Sequence, residues 1–106
     1  MSVTPGQARA LALALPEVVE ADHHGRPSFR VAGRVLATVP DEAAWNVMVG
    51  ESEAHAAQAH PGCALLWWGR RLSGVRVELA EVDAALLAEL LDEAWHRRAP
   101  ARLRRG

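Results

Sequence analysis

The 106-residue chain contains no lysine and no tyrosine, one cysteine (Cys63), one phenylalanine (Phe29), and almost no net charge, formally -1 at pH 7. Each shortage excludes something. One cysteine cannot close an intramolecular disulfide, which suits a reducing cytoplasm, the location expected for this chain. No Cys/His framework surrounds Cys63, which reads as a small buried hydrophobe rather than a nucleophile. With so little net charge the molecule as a whole does not attract nucleic acid or anionic lipid, so any such attraction has to be local. No stretch approaches the ~20 apolar residues of a membrane span, and the run Leu11 to Leu15 is too short for a secretory leader. The chain lacks a Gly-rich phosphate loop and a dinucleotide fingerprint. Ser2, Ser28, Ser52 and Ser73 occupy no nucleophile-elbow context. The chain is therefore read as non-enzymatic, with no cofactor expected.

What is present describes an ordinary globular domain: half the residues are apolar and 24% are charged,. One domain over 1–106 is long enough to bury a core without staples. Thr4-Pro5-Gly6-Gln7 reads as a capping box with proline at the first helical position, opening a helix through Ala8 to Leu15 that Pro16 ends. Strands are expected at Val18 to His23, Ser28 to Val31, Val35 to Val39 and Trp45 to Val49, with Ala32-Gly33 turning one hairpin. Glu51 to His60 reads as a helix stopped by Pro61-Gly62. Ala64 to Trp68 and Val75 to Val82 read as strands joined by a Leu72-Ser73-Gly74 turn. In the second of these, Val75, Val77 and Leu79 alternate with Arg76 and Glu78. Asp83 caps a last helix whose stripe is Leu86, Leu87, Leu90, Leu91 and Ala94, and Arg97 and Arg98 complement its dipole. Residues 99–106 form a basic C-terminal tail. The expected fold is α+β, α-β-β-β-α-β-β-α, an antiparallel sheet with helices packed on one face.

The order Leu13-Ala14-Leu15-Pro16-Glu17, Gly25-Arg26-Pro27-Ser28-Phe29-Arg30-Val31, Val82-Asp83, Glu93-Ala94-Trp95 and Ala99-Pro100-Ala101-Arg102-Leu103 resembles the MmcQ/YjbR family of small bacterial proteins. The resemblance runs over nearly the whole chain. It implies a CyaY-like fold, with two helices on an antiparallel sheet, and a DNA-binding role assigned by analogy with a double-wing shape. It implies no catalytic residues. Ala101 stands where a basic residue is common in the family.

Local charge carries the nucleic-acid reading. Arg26, Arg30 and Arg34 cluster on the first hairpins, and Trp67-Trp68-Gly69-Arg70-Arg71 sets two aromatics beside two guanidiniums. Arg97, Arg98, Arg102, Arg104 and Arg105 follow with no acid after Glu93. Guanidiniums contact phosphate and a tryptophan stacks a base. Alternation sends Trp67 and Trp68 to opposite sheet faces, so one of them is expected in the core. Trp45 and Trp95 read as core. Arg30 and Arg76 also suit a solvated outer face. Glu20, Asp22 and His24 would share one face of a strand, as metal ligands do. Without a second Cys/His pair at metal spacing they read as a polar connector, and His55 and His60 point apart on their helix. The alternative to DNA is a protein- or small-ligand-binding module on the open sheet face, since tryptophan and arginine also dominate protein hot spots. A continuous positive strip on that face would favour nucleic acid. A mixed-charge pocket around His24 and Arg26 would favour the alternative.

Overall fold

The computed structural model describes residues 2–104. Its first helix, α1 (Pro5–Leu13), starts as the sequence dictates: Thr4 Oγ1 accepts from Gln7 N, and Gln7 Oε1 accepts from Thr4 N. Four strands follow, β1 (Val18–His23), β2 (Arg26–Val31), β3 (Arg34–Asp41) and β4 (Ala44–Val47). After them come α2 (Glu51–Ala57), β5 (Cys63–Trp68), β6 (Arg71–Glu78), α3 (Ala84–Arg98) and a single helical turn, α4 (Ala101–Arg104). The strands form one antiparallel sheet in the order β1-β2-β3-β4-β6-β5. The fold is α+β, as expected, with the helices packed on one face of the sheet.

Two hairpins close through two-residue turns whose central residues all have positive φ: His24 and Gly25 between β1 and β2, Ala32 and Gly33 between β2 and β3. Such turns match the natural twist of paired strands. The β5–β6 hairpin turns at Gly69-Arg70, not at Leu72-Ser73-Gly74. Gly74 instead lies inside β6, where a Cβ would run into the Val47 carbonyl oxygen of β4. Here glycine permits a close approach of two backbones rather than a reversal. β6 accordingly begins earlier and ends earlier than the apolar alternation suggests.

The core lies between the sheet and the helices. Phe29 and Val31 of β2, Ala37 of β3, Trp45 and Val47 of β4, and Val75 and Val77 of β6 face it and are buried. Phe29 and Trp45 stack at 4.8 Å, each such burial contributing about 1.5–3 kcal/mol. α3 lays Leu87, Leu90, Leu91 and Ala94 on this layer. Trp95 is 4% exposed, and its Nε1 donates to the Pro16 carbonyl at 2.9 Å, tying α3 to the end of α1. Asp83 occupies the N-cap position of α3, but its side chain makes no capping hydrogen bond. Part of the expected tail is structured: Ala101–Arg104 are helical, and Arg102 ion-pairs with Glu17 at 3.3 Å. Arg105 lies outside the described residues.

Candidate nucleic-acid interface

Strand pairing decides which side chains share the open face. His23 pairs with Arg26, Ser28 sits between Ala21 and Thr38, and Asn46 lies between Thr38 and Arg76. Several polar groups on this face are already satisfied internally. Ser28 is buried and its Oγ donates to the Ala21 carbonyl at 3.0 Å. Arg30 Nε donates to Ser28 Oγ at 3.1 Å, and its Nη2 donates to the Asp22 carbonyl at 3.2 Å. Arg30 therefore braces the β1–β2 hairpin. Arg76 is bracketed by Asp41 at 3.2 Å and Glu78 at 3.3 Å. The Ala43 amide and then the Arg76 guanidinium hold the Asp41 carboxyl below its ordinary value.

At the other end of the sheet the balance differs. The β2–β3 register shifts at Phe29/Arg30, where Leu36 is the extra residue of a bulge that bends β3,. The last turn of α3 emerges beside β3 and the β5–β6 hairpin. His23, Arg34, Thr38, Met48, Trp68 and Arg98 line one cavity of about 360 Å³. A recess of about 220 Å³ beside it shares Met48, Trp68 and Arg98 and adds Arg71 and Ser73. Arg98 is half-buried, and its Nε finds no partner among the described residues. Burial, followed by the like charges of Arg97, Arg34 and Arg71, lowers its guanidinium below the ordinary value. The group stays charged nonetheless. Among the described residues, no carboxylate forms an ion pair with Arg34, Arg71 or Arg98. Arg34, Arg71 and Arg98 thus lie together without an ion-paired carboxylate, and the local potential there is positive,.

Trp67 and Trp68 are 52% and 57% exposed, so neither enters the core, contrary to the expectation for one of them. They do alternate, with Trp67 opposite Leu72 and Trp68 opposite Arg71. Both stand at the tip of an edge hairpin beside the Leu66/Trp67 irregularity. The chemistry elsewhere is quieter. Burial raises the Cys63 thiol, which keeps it protonated and a poor nucleophile,. Glu20 ion-pairs with Arg9, Asp22 Oδ2 accepts from the Gly25 amide, and His24 sits in the turn. Among the described residues no three His, Cys, Asp or Glu side chains gather as a metal site. Acidic groups concentrate next to the arginine cluster, in a cavity of about 540 Å³ between α2 and α3 lined by Glu53, Asp92, Glu93, His96 and Arg97, the last of which also lines the smaller recess. There burial, then Glu53, Glu89 and Asp92, raise the Glu93 carboxyl.

A family model, YjbR, matches residues 13–97. The chain belongs to the YjbR family. No curated protein and no solved structure matches it. The YjbR match takes in Arg34, Trp68 and Arg71 of the arginine cluster and ends one residue short of Arg98. Of the side chains singled out in the sequence, Arg34, Arg71 and Trp68 come together. Arg26 flanks them through its pairing with His23. Arg70 projects from the hairpin turn, Trp67 belongs to the opposite side of β5, and Arg30 is tied to its own sheet. His23, which read as part of a polar connector, joins the site unforeseen. Arg98 was read as a helix C-terminal cation and as part of the basic C-terminal segment, but not as a neighbour of Arg34 and Arg71.

Proposed function

We propose that this YjbR chain binds nucleic acid, DNA in the first instance, without catalysing a reaction on it. Arg34, Arg71 and Arg98 make the phosphate contacts, with Arg26 and Arg70 on the approach. One observation carries the reading: the half-buried Arg98 guanidinium is surrounded by Arg97, Arg34 and Arg71 and has no acidic partner among the described residues. A fold does not hold repelling cations together for stability, and a polyanion is the chemistry that offsets the repulsion. The sequence reading set a continuous positive strip on the open face against a mixed-charge pocket around His24 and Arg26; the cluster supports the first as a local positive patch at one end of the sheet, while Arg76 further along is paired with Asp41 and Glu78. The same role is the one implied by the family resemblance.

Anisotropy of a labelled DNA over a series of salt concentrations tests this. The logarithm of affinity should fall linearly with the logarithm of salt. Arg34→Ala, Arg71→Ala and Arg98→Met should each reduce the slope by about 1, as does loss of a phosphate contact. Arg9→Ala, whose parent side chain pairs with Glu20 on the helix side, should leave the slope unchanged. Absence of binding at low salt to duplex and single strand alike would overturn the proposal.

A further inference from the structure

We propose that the nucleic acid taken by this surface is a single strand, one of whose nucleotides enters the cavity beside β3, with its base on Trp68 and its phosphate among Arg34, Arg71 and Arg98. This rests on the nucleic-acid reading above and narrows it. The cavity, about 360 Å³, lies at the small end of ligand pockets, the size of one nucleotide rather than a duplex. Its lining is divided. Val35 and Trp68 offer apolar contact, His23 and Thr38 offer hydrogen bonds, and Arg98 offers charge. A bare phosphate would leave the apolar part unfilled. A nucleotide fills both parts, and the smaller recess at Arg71 and Ser73 gives its phosphate a polar seat.

Paired bases in a duplex stack on one another and show no free face to a side chain. An unpaired base has such a face and stacks on tryptophan. Trp68 keeps more than half its surface exposed while lining the cavity. Trp67 is equally exposed but sits on the other side of the strand, which makes it an internal control.

The test compares four probes at low salt: an oligothymidylate of about ten nucleotides, a duplex of equal length, an abasic strand of equal length, and thymidine monophosphate. Binding is followed by anisotropy, by competition for the monophosphate, and by quenching of tryptophan fluorescence. Trp45 and Trp95 are buried and give a constant background. The oligothymidylate should bind about tenfold or more tighter than the duplex and the abasic strand, and should quench. Trp68→Leu should lose both the preference and the quenching while keeping the salt slope. Trp67→Leu should keep all three. Suppose duplex, abasic strand and oligothymidylate bind alike, Trp68→Leu changes nothing, and Arg71→Ala and Arg98→Met still weaken binding. The nucleic-acid reading then stands and the single-strand proposal falls. If the monophosphate binds as tightly as the strand, the site is one for free nucleotides and the proposal falls. If no probe binds, both readings fall.

Discussion

On the proposed nucleic-acid reading, stability and recognition pull in opposite directions at Arg98. Its guanidinium is half-buried, lacks a partner for Nε among the described residues, and faces three other arginines. An uncompensated cation in such surroundings destabilises the fold that holds it. A methionine would keep much of the aliphatic volume and remove the charge. Arg98→Met should therefore raise the thermal midpoint by about 4 °C, the equivalent of somewhat under 1 kcal/mol in a domain of this size, while weakening affinity for nucleic acid. Differential scanning fluorimetry and the anisotropy titration on one preparation read both effects. A fall in midpoint would show that Arg98 supports the fold instead. Binding sites that trade stability for function leave this signature. Arg30 is the contrasting residue: similar in sequence context, but with its donors committed to Ser28 and the Asp22 carbonyl.

Among the elements, the hairpins separate what local sequence encodes from what it cannot. The capping box of α1 and the Ala32-Gly33 turn were legible because their cause lies within three or four residues. The stripe of α3 and the burial of Trp45 and Trp95 were legible because periodicity alone carries them. Gly74 was misread as a turn because its reason is the Val47 carbonyl, a strand away and distant in sequence. The grouping of Arg34, Arg71 and Arg98 was not legible for the same cause. It depends on where α3 ends relative to β3 and the β5–β6 hairpin, and no spacing within one element encodes that. The exposure of both tryptophans follows from the position of β5 at the sheet edge. Alternation told the two apart but could not say that neither would be covered. Gly74→Ala tests the account of β6: the added methyl meets a backbone carbonyl that cannot move without unpairing β4. The variant should lose about 3 kcal/mol or more in urea unfolding, with an unchanged denaturant slope if the native topology survives.

At the scale of the whole molecule, two carboxyls give stability opposite responses to pH. The folded state raises the Glu93 carboxyl through burial and the neighbouring Glu53, Glu89 and Asp92. Its contribution is fully present below the unfolded value and is lost as pH rises through the raised folded value. Asp41 is lowered, so its support is present above its unfolded value and is lost as pH falls through the folded one,. Mild acid should thus stabilise the protein before stronger acid unfolds it. Glu93→Gln should raise the melting temperature by a few degrees near about pH 7 and make no difference near about pH 4. An equal gain at both would assign the effect to packing. The formal charge of -1 conceals a local division about the end of α3, where Glu53, Asp92 and Glu93 line one cavity, Arg71 and Arg98 line the next, and Arg97 stands in the wall of both. Such a molecule carries an electric dipole. On the proposed nucleic-acid reading, the field of a polyanion would exert little net pull but a torque that turns the arginines toward the strand before contact. Orientation ahead of collision is an advantage that a uniformly basic protein of the same size lacks.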